Sequence, residues 1–215
     1  MKTKKDNEQN SEGIKKTRIL AVGDIHGDSG LVKRLAKKAE QEKVDLVIFA
    51  GDITLGNKEM KNIISPFQKI KKPVLMIPGN HESGETTDFL SQIYENATNL
   101  HGYAFKKDDI GIFGAGTVDW GREGKNSDEI LQLLKKGHRY IKEQEKKIMV
   151  THMHPRGSKA EIFGFKGSKA VRKAIKEFRQ DVLISAHIHE AGGLQEKINN
   201  TFVINVSRKP TIFEI

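Results

Sequence analysis

Apolar residues recur along this chain in two rhythms. Short runs bounded by glycine or charge, at 18–22, 44–50, 74–77, 147–151 and 181–185, predict strands. Longer amphipathic stretches between them, at 30–42, 58–70, 86–94, 127–146 and 168–179, predict helices. Pro66 is expected to interrupt the second of these helices. Residues 100–105 and 110–114 read as a hairpin, 155–167 as a loop holding glycine and lysine, and 193–198, 201–205 and 211–215 as antiparallel strands. Strands and helices alternating in this way predict βαβ units and a mainly parallel sheet, an α/β fold. Residues 1–12 lack apolar periodicity and read as disordered, so the chain divides into a flexible polar tail, 1–15, and one domain, 16–215. No internal repeat or linker interrupts that domain.

Composition narrows the chemistry. A chain of 215 residues, 36% hydrophobic, is long enough to hold a core without disulfide or metal. It contains no cysteine, which excludes a disulfide scaffold, a thiolate zinc site, an iron–sulfur centre and a cysteine nucleophile. Any metal must use nitrogen and oxygen ligands. The longest apolar run, 46–50, falls far short of the roughly 18 residues of a membrane span, and the first residues are polar and charged, so a soluble, cytoplasmic protein with no membrane partner is expected. Lys and Arg number 37 against 28 Asp and Glu, a net charge of +9, but the two signs are interspersed and support only a general attraction to anions. The aromatic and basic interleaving of a nucleic-acid module is not visible, which leaves nucleic acid as an open partner.

The polar segments at the ends of the apolar strands are more informative. Gly23-Asp24-Ile25-His26-Gly27-Asp28 comes after the first, Gly51-Asp52 after the second, Gly79-Asn80-His81-Glu82 after the third, Thr151-His152-Met153-His154-Pro155 after a later one and Ala186-His187-Ile188-His189-Glu190 after the last long one. Six of the eight histidines fall in these segments, leaving His101 and His138 as ordinary surface or half-buried residues. In an open α/β sheet the carboxyl ends of strands converge on one crevice, so Asp, Asn and His would gather at one edge. Imidazole with carboxylate suits Mn, Fe, Co, Ni or Zn. Two such ions about 3.5–4 Å apart can clamp both oxygens of a phosphate in an in-line displacement. On extended backbone, residues two apart point the same way, so Asp24 with His26, and His187 with His189, would each address one site.

The ordered set Gly-Asp-Ile-His, Gly-Asp, Gly-Asn-His-Glu, a single His after a strand and His-Ile-His resembles the five signature blocks of the calcineurin-like metallophosphoesterase superfamily, over residues 23–190. Each block is weak alone; the five in order are specific. The resemblance implies a four-layer αββα sandwich, two mixed sheets between helices, with a dinuclear centre at the sheet edge. It implies that Asp24, His26 and His189 hold one metal, that Asn80, His152 and His187 hold the other, that Asp52 bridges both, and that His81 is a general acid or leaving-group stabiliser. The cofactors expected are two divalent ions, manganese first, with iron, nickel, cobalt or zinc as alternatives. The final block is similar to the small, cap-free phosphodiesterases of the superfamily.

Three departures qualify the resemblance. The last block begins with Ala186 where the family has glycine, and one added methyl is expected to tighten that turn. The Asp-Arg pair of the protein phosphatase branch is missing after Gly51-Asp52, which argues against a phosphoprotein substrate. His154 stands beside His152, and the ligand is placed on His152, directly after its strand.

The expected activity is a dinuclear phosphodiesterase that hydrolyses a small phosphoester through direct attack by a metal-bridging hydroxide. The alternatives are a non-catalytic scaffold of the same fold, or a nuclease acting on DNA or RNA. Around that centre, Trp120, Phe163 and Phe165 are candidates either for a pocket lining or for packing. Arg156, Lys159 and Lys166 either neutralise phosphate or form a solvated charge run. Glu82 is a candidate for orienting His81.

Overall fold

The computed structural model describes residues 16–58, 60–119 and 127–215; the predicted tail and Trp120 lie outside the described residues. In chain order the first half comprises β1 (Arg18–Val22), α1 (Ser29–Gln41), β2 (Leu46–Ala50), α2 (Ser65–Lys69), β3 (Val74–Ile77), α3 (Gly84–Ile93) and β4 (Ala97–Asn99). The second half comprises β5 (Ala104–Lys107), β6 (Ile110–Ala115), α4 (Ser127–Arg139), β7 (Lys146–Thr151), α5 (Lys169–Phe178), β8 (Val182–Ser185), β9 (Gln195–Ile198), β10 (Thr201–Asn205) and β11 (Thr211–Glu214). Short 3₁₀ turns occupy Lys159–Phe163 and His189–Ala191.

Two mixed sheets result, one ordered β11-β1-β2-β3-β4 and the other β5-β6-β7-β8-β10-β9. The sequence of β2, Leu-Val-Ile-Phe-Ala, shows why they stack. Leu46, Ile48 and Ala50 face a core shared with Ile112, Ile148, Val150 and Ile184 of the other sheet, while Val47 and Phe49 face the core under α1 to α3. A strand covered on both faces has no polar side, so it reads as a continuous apolar run rather than an alternation. On the far side, Met149 and Leu183 pack with Leu134 of α4 and Val171 and Ile175 of α5, completing four layers: helices, sheet, sheet, helices.

The elements depart from the sequence reading in four places. The helix expected over 58–70 is only Ser65–Lys69, and Pro66 stands in its first turn rather than breaking it, where a missing N–H costs nothing. So short a helix is not stable alone; it is held by Phe67, fully buried edge-on against Phe49 at 5.6 Å, a burial worth about 1.5–3 kcal/mol. The helix expected over 127–146 stops at Arg139, where the bonds Tyr140 N–H to Gly137 O and Ile141 N–H to His138 O shorten the turn and drive Ile141 into the core against Gly111. The expected hairpin shifts to β5 and β6, and β4, a three-residue strand, precedes it. Of the three closing strands, β9 and β10 pair antiparallel, but β10 also runs parallel to β8, and β11 crosses to the other sheet to pair with β1.

No helix among the described residues is long and apolar enough to cross a membrane.

Candidate metal centre

Strands β1, β2 and β3 run parallel in one sheet and β7 and β8 in the other, so their carboxyl ends open onto one edge. The chain leaves these ends through residues in left-handed conformation: Asp24 (φ 57°), His26 (49°), Asp52 (50°) and His187 (72°). Asp and His enter this region more readily than branched residues, yet each still costs about 1–2 kcal/mol, which the surrounding hydrogen bonds must offset. The extended geometry expected for Asp24-Ile25-His26 and His187-Ile188-His189 is therefore absent. As a result His187 and His189 diverge into two groups instead of addressing one site.

Donor atoms gather into overlapping clusters. Asp24, His26 and His189 form one, with His26 Nε2 3.4 Å from His189 Nε2 and His189 Nε2 3.5 Å from Asp24 Oδ1. Asp52, His152 and His187 form another, with His187 Nδ1 3.2 Å from His152 Nε2 and Asn80 Oδ1 3.1 Å from that same nitrogen. Asp52 Oδ2 lies between the clusters, 3.5 Å from His152 Nε2 and 3.9 Å from both His26 Nε2 and His81 Nε2. All eight residues proposed from the sequence, Asp24, His26, Asp52, Asn80, His81, His152, His187 and His189, thus meet at one edge. His154 points elsewhere, its Nε2 3.2 Å from the Phe165 carbonyl.

The scaffold beneath explains the local sequence. Asp52 Oδ1 accepts hydrogen bonds from the backbone N–H of Asn80 (2.7 Å) and His81 (2.9 Å), which leaves Oδ2 facing the imidazoles. Gly79 permits this approach, since a Cβ there would fall 2.0 Å from Asp52 Oδ1. Gly51, at φ +88°, clears His152 in the same way, since a Cβ there would fall 2.5 Å from its Nδ1. His152 Nδ1 donates to the Ala50 carbonyl at 2.8 Å, which turns Nε2 toward Asp52. Ala186, the departure from the family glycine, places its methyl where a Cβ on Gly23 would have to be, 2.4 Å away, so one glycine has been exchanged for reliance on another.

Glu82 does not orient His81 as expected. Buried at 5% exposure, it accepts N–H bonds from Ile53, Thr54 and Gly79 and so ties the loop after β2 to the loop after β3. Burial pushes its carboxyl up, and those backbone donors oppose the shift. Sequence reasoning missed Ser207, whose buried hydroxyl donates to Asp24 Oδ2 at 2.5 Å alongside the His187 N–H at 3.1 Å. The available signal was its place just beyond β10, a further strand that runs parallel to β8 and ends at the same edge.

Asp52 and His152 form a charged pair. Burial alone would raise Asp52, but the neighbouring His152 imidazolium and the backbone donors hold its carboxyl well below the usual range. Burial alone would lower His152, but Asp52 and the Ala50 carbonyl carry it up to about 9. His187, desolvated and facing that cation, is pushed down to about 3, and burial also lowers His26. The Asp52 contacts at 3.5–3.9 Å are too long for good hydrogen bonds. Asp24 Oδ1 is buried with no hydrogen-bond partner among the described residues. Converging carboxylate, amide and imidazole donors at these separations fit a pair of divalent cations.

The calcineurin-like phosphoesterase family profile matches residues 17–191, and the chain belongs to that family, whose members are metal-dependent phosphoester hydrolases. No curated protein matches the chain. Among solved structures, a Thermus thermophilus protein shares 17% identity at a TM-score of 0.74, with 90% of each chain covered. A dimetal phosphatase from Danio rerio shares 14% identity at a TM-score of 0.65, with 89% of this chain and 87% of that one covered. An archaeal phosphodiesterase shares 17% identity at a TM-score of 0.53, with 93% and 99% covered.

Proposed function

We propose that the protein is a dinuclear metal-dependent phosphodiesterase. The observation that carries the proposal is the position of Asp52, one carboxylate oxygen set among imidazoles of His26, His81 and His152 with a further ligand group on either side. In this reading Asp24, His26 and His189 hold one ion, Asn80, His152 and His187 hold the other, and Asp52 serves both. Bound there, two divalent ions lower the pKa of water and neutralise the phosphoryl oxygens. Manganese is the first choice for this nitrogen and oxygen set, with Fe, Co, Ni and Zn as the other candidates.

The chain's own residues do the rest. The Asn80 and His81 amides aim Asp52, the Ala50 carbonyl fixes the His152 tautomer, and Ser207 with the His187 amide aims Asp24. His81 has a half-exposed imidazole reaching the same carboxylate, and it is the group that gives a proton to the departing alcohol. Diester preference is supported by the absence of the Asp-Arg pair after Asp52 and by the carboxylates already at the site, since a diester brings one negative charge fewer than a monoester.

Metal analysis of the purified protein, coupled to hydrolysis of matched bis-aryl and mono-aryl phosphates with each ion, tests the proposal. Two metals per chain with faster diester turnover is the expected result. Faster monoester turnover moves the protein to the monoesterases, and an inactive chain under every metal leaves the fold as a scaffold.

A further inference from the structure

The β7–α5 connection carries a surface that the metal centre does not use. Helix α5 buries Ala170, Val171, Ala174 and Ile175 and so turns Lys169, Arg172, Lys173 and Lys176 outward. These sit at positions i, i+3, i+4 and i+7, one stripe on one face. With Arg156 from the preceding loop they line a shallow cavity of about 240 Å³ whose walls carry positive charge alone. Acids compensate it only in part. Arg156 approaches Glu161 at 3.8 Å, Lys173 approaches Glu177 at 3.8 Å, and Lys169, Arg172 and Lys176 form no ion pair among the described residues.

The same loop displays apolar groups. Ile162 is 81% exposed, Phe165 48% and Phe163 38%. The loop that holds them is pinned: Arg156 N–H donates to Ser168 O, Ser168 N–H to His154 O, and Gly167 N–H to Glu161. Aromatic faces are therefore held out to solvent by a loop whose ends are fixed by hydrogen bonds. The loop leaves β7 directly after His152, and α5 starts at the metal edge and runs away from it.

We propose that this loop and α5 bind a single polynucleotide strand, with phosphates along the cation stripe and bases stacked on Phe163 and Phe165, leading toward the metal edge. The stripe from Lys169 to Lys176 spans about 10 Å of helix, room for more than one phosphate of an extended strand. Stacking on aromatic faces together with a basic track is how single strands are held without sequence preference. A bilayer would need the cations level with the apolar tips, whereas here they extend down the helix for two turns. The proposal names the polymeric diester for the phosphodiesterase reading and rests on that reading only for cleavage. Strand binding itself is tested without metal.

The test is fluorescence anisotropy of a labelled oligothymidylate of about 12 nucleotides with the chelated full-length protein at low salt. Arg172→Glu/Lys176→Glu is expected to weaken binding at least about tenfold and to flatten the log affinity against log salt slope by about 1.4. Phe163→Ala/Phe165→Ala is expected to weaken it about tenfold while leaving that slope unchanged. Lys37→Glu/Lys38→Glu, the same charge change on exposed positions of α1, should weaken binding clearly less than the stripe variant at the same salt. Equal losses in both charge variants would reduce the effect to net charge and overturn the proposal. So would binding to phosphatidylserine vesicles without binding to the strand, tighter binding of a duplex than of the strand, or no strand binding at all. Because these readings need no turnover, a protein that binds the strand but hydrolyses no diester would refute the phosphodiesterase reading and leave this one standing.

Discussion

The two halves of the candidate centre are built on opposite principles. At Asp52 and His152 the site is sealed, with the His152 side chain at 0% exposure and Asp52 at 3%. Both are braced, Asp52 by two backbone amides and His152 by the Ala50 carbonyl. On the other side Asp24 is buried and held by Ser207 and the His187 amide, but His189 is at 40% exposure and His26 Nδ1 has no hydrogen-bond partner among the described residues. A braced ligand set loses little freedom when an ion arrives, whereas an unbraced one must be ordered by the ion itself. The sealed half should therefore fill first and empty last, and the open half should face substrate.

Losing the shared carboxylate removes the contrast altogether. Asp52→Asn is expected to bring diester turnover below detection and to lower metal content in both halves, more completely than His189→Ala, which should cost one ion. Elemental analysis and turnover on the same preparations check this, and near-normal rates with two bound metals would contradict it.

His81 tests the open side with a smaller effect. His81→Ala should retain both metals and slow the chemical step by about 10²–10⁴-fold. The loss should be larger for alkyl diesters, whose alcohol needs a proton, than for nitrophenyl diesters, whose phenolate leaves unaided. Single-turnover rates on the two substrates decide. Equal losses, or the loss of an ion, would take His81 out of the acid role.

Ser207→Ala sharpens the comparison further. Removing a hydroxyl that braces Asp24 should weaken metal binding in the open half by about 10–100-fold and leave the sealed half unchanged. Titration with manganese should then resolve one tight and one weakened site. Parallel weakening of both would mean that the halves are not independent.

Legibility in the sequence followed the same division. The strands and the residues at their tips could be read because each is local: an apolar run, then glycine, then a ligand, as in β2 followed by Gly51-Asp52. Asp24, Asp52 and His152 owe their visibility to that grammar. Features that depend on pairing between distant segments could not be read. Ser207 matters because β10 pairs with β8 and Ser207, two residues past its end, bridges to Gly23, 184 positions earlier. Glu82 looked like a partner for its neighbour His81, but its loops fold so that it binds N–H groups 28 and 29 residues back. The 58–70 stretch carries helical periodicity, yet only the turn around Phe67 finds a core to pack on. The stripe on α5 is present in the periodicity as a polar face, and only the exposure of Phe163 and Phe165 in the loop before it distinguishes it from an ordinary solvated one.

The smallest effect is a single proton, and it separates the halves by titration. In the metal-free chain His152 is raised from an ordinary imidazole value to about 9 by Asp52. A raised pKa stabilises the fold fully below the unfolded value of about 6.5, and that contribution fades as pH climbs through about 9. His152 Nε2 lies within 3.5 Å of Asp52, Asn80 and His187, the groups proposed to hold one ion, so its proton would have to leave for that ion to bind. Filling the sealed half at pH 7.5 should therefore expel about one proton per chain, since a ligating imidazole must be neutral. His187, already pushed down to about 3, has none to give, and burial keeps His26 low as well. Between about pH 6.5 and 9 the apparent affinity of the sealed half should rise about tenfold per pH unit and then level off. Calorimetric titration with manganese in buffers of different ionisation heat measures the proton count for each equivalent. Release of one proton with the first equivalent supports filling of the sealed half first; no release at pH 7.5 would show that the first ion enters the open half, reversing the order argued from bracing and burial.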